Sequence, residues 1–348
     1  MSIRPRTPWY FFPGVLLVKL PLGWIVVALM GMALMFTRRC PRALELPLYS
    51  MLGLALLFLA FLARSNAGYA GVRHALVVLP PLALFGALTL DTARARGGRV
   101  MRGCVVLAVF AALASALPVM RPWEYYNELV GGPQNAWRYF NDEGLNLRQR
   151  TTELIRYYDE HIRGTEEIAY DEYGISDEQK TRRGLKFQSW HDDLSDSDVI
   201  SGTVFISAEA LSPEPIYDYA ALRQAQPVAR FGNLLVFRGS FHLPWLRATN
   251  RLARALEILS SERKDGAAAE RLLSEAMALY PQDYRVALEL GNLLAERGAR
   301  HEAIRAYELA RSHAPPGDKM AELLTRQLER MVAEPRDKVP PLRNAWLE

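Results

Sequence analysis

The first third of the chain carries four apolar runs, at residues 21–37, 47–63, 75–90 and 100–119. No other feature limits the fold as much. A helix needs about 20 apolar residues, within about 17–25, to cross roughly 30 Å of hydrocarbon. Each run is near that length, and short Arg-bearing loops separate them. Four such segments in succession are hard to pack in water, so they predict an α-helical transmembrane bundle of about four spans. Pro80 and Pro81 lack backbone N–H groups and predict a kink or break in the third run.

The loops orient the bundle. Arg38, Arg39 and Arg42 follow the first run, and Arg94, Arg96, Arg99 and Arg102 follow the third. Only Arg64 and Arg73 flank the loop after the second. The positive-inside rule puts the first two groups in the cytoplasm, and an even number of spans then puts both chain ends outside. Cys40 and Cys104, the 2 cysteines of the chain, fall near the cytoplasmic face. The polar remainder has none, which excludes a disulfide framework. The balance of 42 Lys+Arg against 38 Asp+Glu gives a net charge of +4, too mild to argue for a nucleic-acid partner. Pro5, Pro8 and Pro13 crowd the start, which does not read as a cleavable signal peptide. Arg4 and Arg6 would lie outside with no span before them, so the reading expects a helix upstream of them.

Residues 120–150 form a junction, MRPWEYYNELVGGPQNAWRYFNDEGLNLRQR. Trp123, Tyr125, Tyr126, Trp137 and Tyr139 are amphipathic rings of the kind that sit at headgroup level. Gly131-Gly132-Pro133 breaks the chain, and the polar run 141–150 leaves the interface. A small extracytoplasmic α/β domain is expected over residues 121–242. Leu147, Leu154, Ile155 and Tyr158 recur at helical spacing over 147–162. Strands are expected at 167–170 and 203–207, a short helix at 216–224, and a hairpin from 227–231 and 234–238 around Gly232-Asn233. Residues 171–198 read as polar and irregular. The acidic stretch 190–198 lacks the Gly and closing Glu of a calcium loop and reads as solvated. No cofactor or metal is implied, and no nucleophile–base pair carries a local signature.

The tail has a period. Ala269, Ala276 and Pro281 recur as Ala303, Ala310 and Pro315, each 34 residues on, the tetratricopeptide spacing. Helical repeats are expected over 243–333, with a degenerate first helix near 245–260, a cap over 318–332, and a polar tail at 334–348. About three repeats are normally needed for independent stability, so so short an array should lean on the α/β domain or on a partner.

The order of motifs then points to a family. PWYFFPGVLLVKLPLG, GVRHALVVLPPLALFG, YYNELVGGPQNAWRYFNDEGLNLRQ, VFISAEAL and PVARFGNLLVFRG follow one another between Pro8 and Gly239. Together they resemble the C-terminal half of bacterial integral-membrane glycosyltransferases of the protein-mannosyltransferase-like group (GT-C, family 39). The resemblance implies sugar transfer from a polyprenyl-phosphate carrier on the outer face of the bacterial inner membrane. Such proteins place a catalytic acid in the first outer loop, near the N-terminus and with several helices after it. This chain reads as lacking that loop and as starting where the family's later helices would be, and its own outer loop SNAGYAGVRH contains neither Asp nor Glu. After the junction, Asp142, Leu145 and Gln149 match the family pattern and Asn146, Leu147 and Arg150 depart from it. The chain thus reads as a C-terminal portion that is not catalytic alone.

Lys19, Arg64, Arg73 and His74 are the candidate contacts for a lipid phosphate. Their other reading is interfacial anchoring by long polar side chains. Glu124, Glu128 and Asp142 are the acids of the junction. The partners expected are membrane lipid, a polyprenyl-phosphate sugar, and a protein held through the repeats or supplying the N-terminal half. The alternative is a membrane-anchored tetratricopeptide scaffold without chemistry.

Overall fold

The computed structural model describes residues 9–37, 40–64, 71–119, 121–139, 146–188, 197–212, 216–261, 265–315, 319–333 and 341–342. The chain divides into two compact units, Arg6–Gln149 and Arg150–Glu348. The junction stretch as far as Gln149 belongs to the first.

The first unit is helical: α1 (Phe11–Lys19), α2 (Leu22–Met35), α3 (Arg42–Arg64), α4 (Leu79–Arg96) and α5 (Arg99–Ala116). Among the described residues, three segments are long and apolar enough to cross a membrane: α3, the stretch Val72–Arg96 that includes α4, and α5. A fourth exists only if α1 and α2 count as one span, and they meet at a bend of 116°. This set is compatible with a multi-pass membrane protein.

The boundaries differ from the sequence reading in instructive ways. Helix α2 has 14 residues, about 21 Å at about 1.5 Å per residue, which is short of the roughly 30 Å core. Helix α3 begins before Pro47 and carries it inside. Pro80 and Pro81 do not interrupt a helix. They stand in the first turn of α4, where a missing N–H costs nothing, and a 3-10 turn over Gly71–Val78 leads into them.

The stretch Val72–Arg96 is the central one: 44% of its most apolar part is buried, against 17% for α3 and 6% for α5. Small residues let α2 approach its neighbours. A Cβ on Gly31 would overlap the Phe85 carbonyl, and one on Gly23 would overlap the Ala108 carbonyl. Thr89 Oγ1 donates to Val27 O at 2.8 Å across the same α2–α4 contact. Close backbone approach through Gly, with a hydroxyl bonding across it, is how helices associate where apolar burial supplies no drive. At the α4–α5 turn, Arg102 donates to Ala93 O (3.0 Å) and Arg94 O (3.1 Å), capping the last carbonyls of α4.

The second unit opens with α6 (Thr151–His161) and a four-stranded mixed sheet of order β1-β2-β4-β3: β1 (Ala169–Glu172), β2 (Val199–Ser207), β3 (Ala229–Phe231) and β4 (Leu234–His242). β1 runs parallel to β2, and the other pairs are antiparallel. A parallel pair needs a long crossover, and here it contains α7 (Asp177–Arg183). Ser176 caps α7 by accepting from Gln179 N, and Gly184 closes it at φ 60°. The paired stretches 203–207 of β2 and 234–237 of β4 are buried on both sides, as their runs of apolar residues require. On one side, Leu154 and Tyr158 of α6 pack with Phe205, Leu234 and Val236. On the other, Val204, Ile206, Leu235 and Phe237 are also fully shielded, and α8 (Ala220–Gln224) lies against β4.

The helices α9 (Leu246–Ser260), α10 (Gly266–Leu279), α11 (Tyr284–Glu296), α12 (Arg300–His313) and α13 (Lys319–Ala333) follow. Helices α10 and α12 begin at Gly266 and Arg300 and end at Leu279 and His313, an offset of 34 at both ends. Ala269, Ala276, Ala303 and Ala310 are all fully buried. Gly291 of α11 lies so close to the Tyr307 ring that a Cβ would come within 2.8 Å of it. Asp283 joins the array to the loop before α8. It caps α11 and is gripped by Arg285 at 2.9 and 2.7 Å, and Arg285 also donates to Tyr217 Oη at 2.8 Å. Tyr217 and Tyr219 both pack edge-on against Trp245, whose Nε1 donates to Asp218 O at 3.0 Å. These contacts tie α11 and the start of α9 to the loop before α8.

Candidate functional site

The break between α1 and α2 organises the candidate site. Pro21 has no N–H to continue α1 and holds Leu20 extended, at φ -111° and ψ 142°. The last carbonyls of α1 are then left without helical partners, which is costly away from water. The junction supplies those partners. Asn127 donates from its backbone to Val18 O (2.8 Å) and from Nδ2 to Leu17 O (2.6 Å) and Leu20 O (2.9 Å). Its Oδ1 accepts from Leu129 N at 3.1 Å, and the residue is wholly buried. Sequence reading missed Asn127, because its partners lie more than 100 residues upstream and nothing local marks it.

Lys19 sits at the same place. Its Nζ donates to Trp123 O at 2.9 Å and stands 3.7 Å over the Tyr126 ring. A cation at the C-terminus of α1 also complements the helix dipole. Arg64 ends α3, exposed, and Arg73 (exposed) and His74 (half-buried) lie on the 3-10 turn that precedes α4. Phe12 and Leu16 of α1, Ala55 and Leu62 of α3, and Ala75 and Val78 of the turn form one apolar cluster. Lys19, Arg64, Arg73 and His74 thus stand on three elements that share a core.

The junction acids separate. Glu124 is buried in a 3-10 turn, Pro122–Glu124, whereas Glu128 is exposed at the start of the next. Asp142 lies outside the described residues. The rings divide too. Trp123 and Tyr139 are exposed, Trp137 is half-buried, and Tyr125 and Tyr126 are buried. Tyr125 Oη is 2.6 Å from Ser115 Oγ near the end of α5. Val18, Tyr126, Val130 and Ala136 pack with Trp137 around the α1 terminus. Two of the five rings therefore serve as packing for the helical unit, and Trp123 and Tyr139 keep the exposure that a headgroup ring requires.

In the second unit one acid titrates abnormally. Burial, the adjacent Asp171 carboxylate and too little compensation from Tyr219 Oη and Lys180 push Glu172 up to about 7. It ends β1, and Tyr219 Oη donates to its Oε2 at 3.4 Å. A shallow depression beside α6, lined by Thr152, Arg156, Asp159, Glu160 and Arg183, mixes charges of both signs. Among the described residues, no three His, Cys, Asp or Glu side chains gather as metal ligands would; most of the acidic stretch 190–198 lies outside them. Compared with protein-family models, curated proteins and solved structures, the chain matches none.

Proposed function

We propose that the chain is the lipid-phosphate half of a membrane glycosyltransferase of the protein-mannosyltransferase-like (GT-C, family 39) type. In this reading it is a multi-pass protein of the bacterial inner membrane, and the residues after 120 lie on the outer face. One observation carries the proposal. Lys19, Arg64, Arg73 and His74 stand on elements with a common apolar core, and Lys19 is fastened to the stretch that carries the most specific part of the resemblance. Sugar transfer from a polyprenyl phosphate leaves a phosphate that must be stabilised by cations as it departs. The acceptor must give up a proton to a positioned base. The loop SNAGYAGVRH offers no carboxylate, so the base comes from another segment or another chain.

Purified chain in lipid nanodiscs should bind a polyprenyl phosphate, and Arg73→Ala should weaken binding roughly tenfold, which corresponds to about 1.4 kcal/mol. Equal binding by the variant would remove Arg73 from the site. Sugar turnover by this chain alone would overturn the half-site reading and make Glu124, Glu128 and Asp142 candidates for the base. A reporter active only in the cytoplasm, fused after Glu348, should be silent.

A second reading is a membrane-anchored scaffold whose tail consists of tetratricopeptide repeats. The 34-residue offset of α10 and α12 and their fully buried alanines favour it. The two readings differ in polyprenyl-phosphate binding, which a scaffold does not require.

A further inference from the structure

Asn292 is 1% exposed in the middle of α11, a place where an unsatisfied amide is costly. Its Oδ1 accepts two hydrogen bonds. One comes from Tyr307 Oη at 2.8 Å. The other comes from the backbone N–H of Leu342 at 2.8 Å, 50 residues away in the chain's C-terminal segment. Asn292 Nδ2 donates to Glu289 Oε2 at 3.3 Å, which holds the amide in this orientation. The Gln327 side chain also acts on the Tyr307 hydroxyl. Asn292, Tyr307 and Gln327 come from α11, α12 and α13, and all three are more than nine-tenths buried. The Leu342 side chain packs on the apolar cluster of the same three helices, which includes Leu288, Tyr307 and Leu324.

This is a seat with two kinds of recognition. A polar set presents an oriented acceptor to a peptide N–H, whichever residue bears it. Beside it, an apolar surface takes one branched side chain. An acceptor aimed at main chain and a pocket for a single side chain are the means by which extended peptides are held.

We propose that α11, α12 and α13 form a binding site for an extended peptide bearing a leucine-like side chain, and that the chain's own Leu342 occupies it. The C-terminal segment is then an internal competitor: a partner peptide reaches Asn292 only by displacing Leu342. The inference stands independently of sugar transfer, since it uses no residue of the helical unit.

The test compares three forms of the chain in nanodiscs: full length, ending at Ala333, and full length with Leu342→Asp. The probe is a fluorescein-labelled peptide of residues 334–348, followed by anisotropy. The shortened chain and the Leu342→Asp chain should both bind the peptide saturably, and the full-length chain at least tenfold more weakly. A peptide that itself carries Leu342→Asp should bind every form at least tenfold more weakly than the natural one. If the shortened chain fails to melt cooperatively, the Leu342→Asp chain decides the matter alone. Absence of binding to that chain, equal affinity for both peptides, or equal binding by wild-type and Leu342→Asp chains would each overturn the proposal.

Discussion

Helices α5 and α11 are both rich in apolar residues, and they use them in opposite directions. In α5, Val100, Val106, Leu107 and Phe110 are between 67% and 81% exposed. In α11, Val286, Ala287 and Leu288 are wholly buried and Leu293 nearly so. An outward face like that of α5 would be a large apolar patch in water, and it suits hydrocarbon as the solvent. The interiors differ accordingly. In the first unit, close approach depends on Gly23 and Gly31, and the buried polar side chains Thr89 and Asn127 bond to backbone carbonyls. In the second, buried polar side chains bond largely to one another, as in Arg285–Asp283 and Tyr307–Asn292. Water outside drives large apolar side chains inward. Where the surroundings are apolar, backbone approach and satisfied carbonyls hold helices together.

The contrast breaks most sharply at Gly31. Gly31→Leu should force α2 off α4, because there is no room for even a Cβ beside the Phe85 carbonyl. The expected result is loss of monodisperse protein after detergent extraction, the largest effect among these predictions. Normal yield and unchanged melting would show that α2 and α4 do not depend on close approach.

The next effect belongs to the second unit. Arg285→Ala leaves the Asp283 carboxylate, 1% exposed, without its partner. Removing one member of a buried pair costs about 3–5 kcal/mol. Denaturation followed by fluorescence should show the loss, because the same change also frees Tyr217 beside Trp245. A smaller cost is expected at Asn127→Ala, which strips hydrogen bonds from the Leu17 and Leu20 carbonyls. Each buried unsatisfied group costs about 1–3 kcal/mol, and melting in detergent should fall without loss of helix content. Ala303→Trp should overpack the α11–α12 contact by about 1–3 kcal/mol. Unchanged melting would mean that the small residues at the 34-residue spacing do not set helix separation.

These sites also show what the sequence could and could not disclose. The long spans are legible because apolar runs are local, and α10 and α12 are legible because Ala269, Ala276 and Pro281 recur 34 residues on. Helix α7 had a readable signal, Ser176 followed by Gln179 and then Gly184, but the charged stretch around it masked that signal. Pro13 masks helix α1 in the sequence, yet it stands in the first turn, where its missing N–H is harmless. The bend at Leu20 was hidden because Pro21 looked like the start of a span. The roles of Asn127, Arg285 and Asn292 depend on partners 107, 68 and 50 residues away. No local pattern encodes those contacts, so Lys19, Arg64, Arg73 and His74 can be named from sequence, whereas the residues that fasten the surrounding elements cannot.

The smallest expected effect tests the polar interior of the second unit by pH. Glu172 is held up to about 7 from an ordinary 4.5, first by burial and then by the Asp171 carboxylate, against the opposing pull of Tyr219 Oη and Lys180. Asp171 cannot move aside to relieve this. Its oxygens accept from Gly174 N at 2.9 Å and Ile175 N at 2.8 Å and meet Lys180 Nζ at 3.0 Å. A raised folded-state pKa means that the native chain keeps a proton which the unfolded chain has already released. The group's contribution is therefore complete below about 4.5 and is lost as pH rises through about 7. Melting of the wild-type chain should thus decline relative to Glu172→Gln between pH 5 and 8, since the amide carries no charge to desolvate. Parallel profiles for the two chains would mean that water reaches Glu172 from the end of β1, and that this part of the second unit is not the dry interior its strands otherwise build.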